Sequence, residues 1–337
     1  MRAAVFTPNE PWLAVEQVPD PVPEPGDLIL RVDACGICGS DLHMAHSMTD
    51  SPGIVFGHEF CGTVVDTGGD VDGYRSGDRV AGFPLTGCRR CSACLAGFIG
   101  KCRNARFIGA QRPGAYAEYV AVGAAESFRL PDDLDNDLGA LVEPLAVAHH
   151  ALERTPRDPG EPVLILGAGP VGLAVALWAQ ALGAREVVVS DPAQGRRAVA
   201  TSLGATVIDS TEQDVARAFA DVTGSRPRVI VECVGQPGLI QHAAEVAGRD
   251  AHITVVGACS QPDTIQPLVA TSKELTLQFV VYYRRRDFAQ TIAAMVSGRL
   301  DPRPIVTARI DLDALPDRFA TLMSPGADCK VLVLPGS

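Results

Sequence analysis

The sequence has 337 residues, of which 47% are hydrophobic, and a formal net charge of −11. A chain of this length is expected to form two domains. Its acidic balance argues against nucleic acids and anionic membrane surfaces as partners, because both require basic patches. The longest apolar run is too short to cross a membrane, and no secretory signal is visible at the N-terminus. We therefore expect a cytoplasmic protein with small-molecule partners.

The first 130 residues are predicted to form an irregular β domain. Residues 27–35 alternate between two faces, with Leu28, Leu30 and Val32 on one side, which is the period of a half-buried strand. Glycine and aspartate turns separate the strands that are expected next. These further strands lie at 62–68, 77–83 and 114–122.

Cys38 and His58 are candidate ligands of an open metal site. Cys35 and Cys38 form a CxxC pair that could instead be redox-active, but the thioredoxin-like unit that such pairs accompany is absent. An open zinc site requires a third protein ligand and leaves one position for water or substrate. Glu59 and Glu143 are the available carboxylates. A Zn²⁺ ion with one thiolate, one neutral imidazole and one carboxylate is formally neutral, whereas a second carboxylate would make the site negative. We therefore predict that one glutamate binds directly and the other moves or binds through water.

A compact lobe carries four further cysteines, three of them at CxxCxxC spacing and the fourth eight residues later. They are Cys88, Cys91, Cys94 and Cys102. Four thiolates favour a closed, structural zinc site. An iron–sulfur cluster and a set of buried free cysteines are the alternatives; zinc is favoured because the lobe is small and no second electron-transfer element is visible. Basic residues in or beside the lobe are placed to offset the thiolate charge: Arg89, Arg90, Lys101 and Arg103.

From about residue 150 the pattern changes to short apolar strands that alternate with helices, as in a parallel sheet covered on both faces. Strands are expected at 163–167, 186–191, 228–235 and 252–257. Helices are expected at 170–182, 194–203, 212–221, 238–247 and 286–298. The terminal strand at 329–335 is expected to return to the first domain. We therefore predict a β-rich domain over 1–149 and 286–337 and a nucleotide-binding domain over 150–285.

Gly167, Gly169 and Gly172 lie directly after a predicted buried strand and at the start of a helix. In this context a GxGxxG pattern indicates a dinucleotide site, because the helix N-terminus can bind the pyrophosphate. Asp191 ends the second strand, where a carboxylate accepts hydrogen bonds from ribose hydroxyls and repels a 2′-phosphate, which favours NAD. Arg196 and its neighbour Arg197 qualify this preference, because an arginine near that position could bind a phosphate.

Taken together, the motifs GICGSDLH, GHEFCGTV, the four-cysteine lobe, EPLAVA and GAGPVG resemble the zinc-dependent medium-chain dehydrogenases of the alcohol dehydrogenase superfamily. The resemblance covers nearly the whole chain and is greatest to the sorbitol and threonine dehydrogenase branch. It implies an α/β fold with a GroES-like β-rich catalytic domain and a Rossmann domain, which is a doubly wound parallel sheet. It also implies two zinc ions per subunit, one catalytic and one structural, together with NAD. A homodimer or homotetramer is implied as well, in which an exposed strand near 252–257 pairs across a two-fold axis.

The resemblance further implies roles for individual residues. Cys38 and His58 match the catalytic zinc ligands, Glu59 matches the acid beside that histidine, and Glu143 stands where simple alcohol dehydrogenases have a second cysteine. Ser40 and His43 match a proton relay. Further residues are expected to contact NAD: Pro170, Val171, Arg196, Val256, Gly257 and Ala258. His149 and His150 match no role, and the basic segment 282–287 has no explanation beyond a cofactor or subunit contact.

The function implied is hydride transfer from a secondary alcohol or polyol to NAD+, giving a ketone. Two alternatives stay open at this point. One is a non-catalytic, zinc-stabilised NAD-binding module. The other is an NADP-dependent aldehyde or ketone reductase, which would require arginine contacts to a phosphate instead of the acid at position 191.

Overall fold

The computed structural model describes residues 1–47, 52–324 and 326–336. The strands in these ranges are β1 (Arg2–Phe6), β2 (Leu13–Gln17), β3 (Asp27–Gly36), β4 (Glu59–Thr67), β5 (Arg79–Ala81), β6 (Leu85–Thr86), β7 (Arg106–Phe107), β8 (Tyr119–Gly123), β9 (Phe128–Arg129), β10 (Val163–Leu166), β11 (Val187–Ser190), β12 (Thr206–Ile208), β13 (Val229–Glu232), β14 (His252–Val255), β15 (Thr276–Phe279), β16 (Val306–Asp311) and β17 (Lys330–Leu334). The α-helices are α1 (Gly39–Ser47), α2 (Ser92–Leu95), α3 (Asn136–Glu153), α4 (Pro170–Ala181), α5 (Gln194–Ser202), α6 (Val215–Thr223), α7 (Leu239–Val246), α8 (Pro267–Ser272), α9 (Arg285–Val296) and α10 (Leu315–Leu322). None of these helices is long and apolar enough to cross a bilayer.

The sheet of the first domain has the order β16-β17-β3-β4-β5-β9, with β8 also paired to β3, and its first two strands come from the C-terminal end of the chain. β3 confirms the strand expected at 27–35, although Ile29 is buried as well as its neighbours, so the alternation is less complete than the sequence suggests. The C-terminal strand β17 pairs antiparallel with β3, with Val333 opposite Cys35. The end of the chain therefore lies within the first domain's sheet, beside the Cys38 segment.

The second sheet is parallel throughout, in the order β12-β11-β10-β13-β14-β15. The central strands β10, β11 and β13 are buried at every residue, as their continuous apolar runs predict. The helix expected at 212–221 begins later, at Val215, because the Asp214 side chain accepts a hydrogen bond from the Arg217 backbone N–H and caps the helix there. The predicted α/β class with a Rossmann sheet is confirmed.

The exposed edge of this sheet differs from the expectation. β14, which contains the predicted pairing strand, lies between β13 and β15 and is hydrogen-bonded on both sides, so it cannot pair across a subunit boundary. The strand at this edge of the sheet is β15, whose residues are half-buried or exposed; β12 forms the opposite edge. Its sequence TLQF has no long apolar run, which is why the sequence pattern did not indicate it.

Helix α3 is the main element that the sequence analysis missed. It spans 18 residues with Pro144 in its interior, and a proline normally ends or kinks a helix. The Asp135 side chain caps it by accepting a hydrogen bond from Leu138 N at 2.9 Å, and its far half packs against α4, where Trp178 Nε1 donates to Leu145 O at 2.9 Å. α3 runs through the predicted boundary at 149/150. It therefore joins the two domains and places Glu143 between them.

Candidate active site and metal centres

A cavity of about 540 Å³ lies between the two sheets and collects most of the residues that the sequence analysis singled out. From the first domain it is lined by Cys38, Ser40, His43, His58, Glu59 and Glu143. From the glycine-rich loop and the following strands it is lined by Gly169, Pro170, Val171, Val256, Gly257 and Ala258. The candidate ligands of the open metal site, the relay residues and part of the predicted cofactor set therefore share one cleft, whereas Gly167, Gly172, Asp191 and Arg196 do not line it.

Cys38, His58 and Glu59 form a potential metal site within this cavity. Their ligand atoms all lie within 4.8 Å of one another. The His58 Nδ1 atom is 3.1 Å from the Asp41 carboxylate, which can only accept, so Nδ1 carries a proton and Nε2 is the nitrogen left to bind a metal. Burial lowers the pKa of His58, but the charges of Asp41 and Cys38 and their hydrogen bonds outweigh it and raise the pKa, so Nε2 also holds a proton that a metal would have to displace. One thiolate, one imidazole and one carboxylate are the donors of an open, catalytic zinc site. The residues present therefore fit the ion that the sequence predicts.

Asp41 is a functional residue that sequence reasoning missed. It is fully buried and accepts hydrogen bonds from the Tyr116 hydroxyl at 2.6 Å and from the Cys38 backbone N–H at 3.1 Å, in addition to His58. Burial alone would raise the pKa of Asp41, but the charge and hydrogen bond of His58, with the other donors, outweigh it, so the pKa is lowered. The carboxylate thus stays ionised and orients the imidazole. Its position three residues after Cys38 was the available signal.

Glu59 carries a second contact that the sequence did not reveal. Its carboxylate pairs with the Lys330 ammonium, and both side chains are only 1% exposed. The ammonium also donates to Ile37 O at 2.9 Å. Burial lowers the pKa of Lys330, but the charges of Glu59 and Cys38 and the hydrogen bond to Glu59 together outweigh it, so the pKa is raised and the ion pair is retained. Lys330 reaches the site because β17 pairs with β3, although 271 positions separate it from Glu59.

Glu143 lies on the same cavity wall but outside the group of ligand atoms formed by Cys38, His58 and Glu59. Burial within α3 raises the pKa of Glu143 to about 7, and the charge of Glu59 acts in the same direction, whereas His58 opposes it. A carboxyl with this pKa can exist in either protonation state near neutral pH. The two glutamates, which the sequence left as alternatives, therefore have different surroundings.

Ser40 and His43 lie on the side of the site where a proton could leave. The Ser40 hydroxyl donates to Cys38 Sγ at 3.2 Å and lies 3.3 Å from His58 Nε2. His43 follows on α1, lines the cavity and is exposed to solvent. The pair therefore extends from the metal ligands to the surface.

The four cysteines of the lobe come together as the spacing predicts. The sulfur atoms of Cys88, Cys91, Cys94 and Cys102 lie within 4.8 Å of one another, and Cys91 and Cys94 are 3.5 Å apart. Tetrahedral zinc with bonds of about 2.3 Å would hold its sulfurs about 3.8 Å apart, so the set fits that ion. The backbone N–H groups of Arg90 and Cys91 lower the pKa of Cys88 to about 6, which favours the thiolate that a metal binds.

Arg89, which was expected to offset the thiolate charge, makes its main contact with a carboxylate. Its guanidinium donates to the buried Glu126 carboxylate at 3.0 and 3.1 Å and lies 3.4 Å from Gly26 O. Its interaction with Cys94 is secondary to that ion pair. Arg89 therefore anchors the lobe to the first domain.

The nucleotide end of the cleft begins at Gly167 and α4. Gly167 has a φ of +100°, in the left-handed region, and a Cβ on Gly172 would clash with Gly167 O, so both positions require glycine. Pro170 is at the first turn of α4, where its missing N–H costs no hydrogen bond.

The residue predicted to favour NAD, Asp191, directly follows β11. Asp191 is buried, and its two carboxylate oxygens accept hydrogen bonds from Ala168 N and Ala193 N, each at 2.7 Å. Arg197 is engaged by Asp209 and by the Asp191 and Pro192 carbonyls. The buried Arg196 Nε, by contrast, has no hydrogen-bond partner among the described residues. Arg196 is thus the arginine that could meet a ligand here.

Two family models match this chain. The alcohol dehydrogenase GroES-like domain matches residues 24–132, and the zinc-binding dehydrogenase domain matches residues 170–297. Among curated relatives, a 2-dehydro-3-deoxy-L-galactonate 5-dehydrogenase of Pseudoalteromonas atlantica is 35% identical over 99% of this chain and 98% of its own length. A sorbitol dehydrogenase of Bacillus subtilis is 32% identical over 99% of this chain and 97% of its own length.

A solved structure is similar over the same extent. A putative zinc-binding dehydrogenase from Sinorhizobium meliloti 1021, bound to NADP, superposes with a TM-score of 0.89 at 31% identity and covers 99% of both chains. These relatives confirm the family that the sequence motifs indicated, and the fold is consistent with it. The chain belongs to the zinc-binding dehydrogenases of the alcohol dehydrogenase superfamily.

Proposed function

We propose that this oxidoreductase transfers a hydride from a secondary alcohol or polyol to NAD+, releasing a ketone, NADH and a proton. The observation that carries the proposal is the grouping of Cys38, His58 and Glu59 in the same cavity as the glycine-rich loop. When bound, zinc supplies a Lewis acid that lowers the pKa of a coordinated alcohol, and NAD+ accepts the hydride. We propose two zinc ions per chain, one in this cavity and one in the four-cysteine lobe.

The side chains around the cavity supply position and charge. Cys38, His58 and Glu59 would hold the ion directly, because their ligand atoms already converge, while Asp41 keeps the His58 ring in the required tautomer. Lys330 holds Glu59 in place. Glu143, which lies outside this group, is the glutamate that we propose to approach the metal through water or by moving.

The proton that the alcohol loses must reach solvent. We propose that the Ser40 hydroxyl accepts it near the substrate oxygen and that His43, exposed on α1, passes it to water. Bound NAD would supply a ribose hydroxyl to this relay, as the resemblance to the family implies.

NAD is proposed as the cofactor because the Asp191 carboxylate directly follows β11 and would repel a 2′-phosphate. The structure of the Sinorhizobium relative contains NADP instead, so the cofactor preference of this chain requires a direct test. We expect the kcat/KM ratio of NAD+ over NADP+ to exceed one in the parent and to fall by at least about tenfold, or about 1.4 kcal/mol, in Asp191→Ser. Asp209→Ser, which alters the Arg197 partner, is the matched control. A parent that prefers NADP+ would contradict the assignment.

The test of the reaction itself is the formation of reduced nicotinamide in mixtures of the protein, either cofactor and a panel of alcohols, before and after removal of metal by a chelator. Turnover that chelation abolishes and zinc restores is expected. No turnover across the panel would favour a non-catalytic NAD-binding module instead.

We also propose that the protein is a homodimer or homotetramer. The support is the edge strand β15, which pairs only with β14 among the described strands and carries Phe279, 62% exposed, with Val281 beyond it 64% exposed. Light scattering should give a mass of at least two chains for the parent. Phe279→Asp should lower it, whereas Val296→Asp, another exposed apolar position, should not. A monomeric parent would contradict the proposal.

A further inference from the structure

The charges on the cavity wall restrict which alcohols can enter. Among the described residues, Lys330 is the one lysine or arginine that lines the cavity. Its ammonium is committed to Glu59 and to the Ile37 carbonyl. The six residues outside the described ranges are Met, Thr, Asp, Ser, Pro and Ser, so none of them is a lysine or arginine. Among the described residues that line the cavity, no free ammonium or guanidinium is therefore available to bind a carboxylate or phosphate on the substrate.

The remainder of the wall suits an uncharged molecule. Met44, Phe107 and Ala110 give it an apolar surface, and the Phe107 ring lies 5.0 Å from the His58 ring. Gln111 adds a hydrogen-bonding group: its Oε1 accepts from Phe107 N at 2.9 Å, so the amide N–H groups are directed elsewhere. Such groups can bind hydroxyls. An anionic substituent would lose water without gaining a lysine or arginine partner to offset its charge, and it would lie in the same cavity as Glu143.

We propose that the cavity selects uncharged alcohols and polyols and rejects substrates that carry a carboxylate or phosphate. This inference rests on the proposed function and narrows its substrate class. It separates the chain from the Pseudoalteromonas relative, whose name specifies a sugar acid, and sets it with the Bacillus relative, whose name specifies sorbitol.

Matched substrate pairs test the proposal on the zinc-loaded enzyme. We expect kcat/KM for 2,3-butanediol to exceed that for 3-hydroxybutyrate, and that for sorbitol to exceed that for gluconate, by at least about 100-fold within any pair that reacts. Equilibrium binding gives a second readout: acetoin should perturb the fluorescence of NADH bound to the enzyme at lower concentration than acetoacetate.

A gain-of-charge variant sharpens the test. Gln111 is exposed at the cavity, so Gln111→Arg adds a cation there without burying it, and Gln111→Met is the uncharged control of similar length. The ratio of kcat/KM for the neutral substrate to kcat/KM for its anionic counterpart should be about tenfold smaller in Gln111→Arg than in Gln111→Met. Preference of the parent for either anion, or equal binding of acetoin and acetoacetate, overturns the inference. Failure of every alcohol to react would instead defeat the proposed function.

A separate observation concerns the basic segment 282–287. Asp287 is fully buried and accepts hydrogen bonds from three donors: His149 Nδ1 at 2.8 Å, His150 Nδ1 at 3.1 Å and Arg284 N at 2.6 Å. The two histidines are on α3, and Arg284 directly precedes α9. Asp287 therefore links the helix that carries Glu143 to the start of α9.

The residues just before this link form part of the cavity wall. Tyr282 and Tyr283 line the cavity, and Tyr282 has a φ of +57°, a conformation that a tyrosine rarely adopts. Tyr282 also packs so closely on Gly100 of the lobe that a Cβ there would lie 2.6 Å from its ring. An unusual backbone conformation persists only where the surroundings determine it.

We infer that Asp287 is a positioning residue that fixes Tyr282 and Tyr283 relative to Glu143, and so sets the shape of the substrate end of the cavity. His149 follows Glu143 by six positions on α3 and His150 by seven, which is about two helical turns. The helix therefore fixes the distance between Glu143 and the two histidines that bind Asp287.

Asp287→Asn tests this inference against Thr291→Ala. Thr291 is also fully buried, lies one turn further along α9 and donates to the Asp287 carbonyl at 2.8 Å, so its loss perturbs the same helix without breaking the link. Asp287→Asn should raise KM for the alcohol by about tenfold while KM for NAD+ and kcat change by less than about twofold. Thr291→Ala should leave all three nearly unchanged at a comparable loss of thermal stability. Equal effects of the two variants on the alcohol KM would overturn the assignment.

Discussion

The four-cysteine lobe and the Cys38 cavity are both potential metal sites, yet they are built in opposite ways. In the lobe all the donors are sulfur and all come from residues 88–102. In the cavity the donors are mixed, and their surroundings come from α1, β4, β17 and the segment that holds Tyr116. The difference shows that a closed site can be specified locally, whereas an open, reactive site depends on packing between distant segments.

The largest difference between the two regions should appear when one cysteine is removed from each. Cys38→Ala removes a proposed ligand of the cavity metal and should lower kcat/KM by at least about 10³-fold, the equivalent of about 4 kcal/mol. Elemental analysis should show about one zinc per chain instead of two, with the lobe still loaded. Cys35→Ala, a buried neighbour outside the ligand group, is the control. Activity equal to that of the parent would refute the cavity as the reactive site.

Removal of one lobe cysteine should act on stability instead. Structural zinc contributes directly to folding, so Cys94→Ala should lower the midpoint of thermal unfolding by at least about 5 °C. The fraction that remains folded should retain the cavity metal. Cys259→Ala, which alters a cysteine outside both groups, should leave the midpoint unchanged. If Cys94→Ala unfolds at the parent's temperature with its metal lost, the lobe has no structural role.

A smaller effect is expected from the residue that orients His58. Asp41→Asn should reduce metal affinity or kcat/KM by about 10- to 100-fold, because the amide removes a charge and can present a donor to the imidazole. Metal-binding titrations of the apoprotein with a competing chelator give the affinity independently of turnover. Tyr116→Phe removes one donor to the same carboxylate and should have a weaker effect. A larger loss in Tyr116→Phe than in Asp41→Asn would contradict this order.

The smallest effect concerns the charge around the lobe. Arg89 is bound to Glu126, so Arg89→Met should cost about 1 kcal/mol of stability or slightly more and leave the lobe's zinc in place. Arg90→Met should have no measurable effect on either quantity. Loss of zinc from Arg89→Met would show that this guanidinium compensates the thiolates after all.

Prediction from the sequence was most complete where the relevant residues are close along the chain. The lobe cysteines and the loop Gly167–Gly172 were identified with their geometry, because a short spacing limits where the backbone can place each side chain. Prediction failed for α3, because a proline such as Pro144 normally breaks a helix. Only packing of α3 against α4 and the first domain compensates for the hydrogen bond that the proline removes.

Individual residues of the cavity were also predicted incompletely, because their roles depend on contacts between distant segments. Cys38, His58 and both glutamates were candidates from motifs, but Asp41 resembled an ordinary first-turn acid of α1, and Lys330 resembled a residue at the start of a terminal strand. Neither role could be inferred without knowing that both side chains are buried beside the ligands. The domain boundaries and the roles of the site residues stay predictions.

The amino-acid sequence alone determined the class of fold, the closed thiolate lobe, the dinucleotide loop and the set of candidate ligands, because each depends on residue type and on short spacings. Only the tertiary structure decided that Glu59 converges with Cys38 and His58 while Glu143 stays apart, that Lys330 is paired with Glu59, and that β15 rather than β14 is the sheet edge. The physical reason is that burial and charge pairing arise between segments far apart in the chain, and no local pattern records which segments will meet.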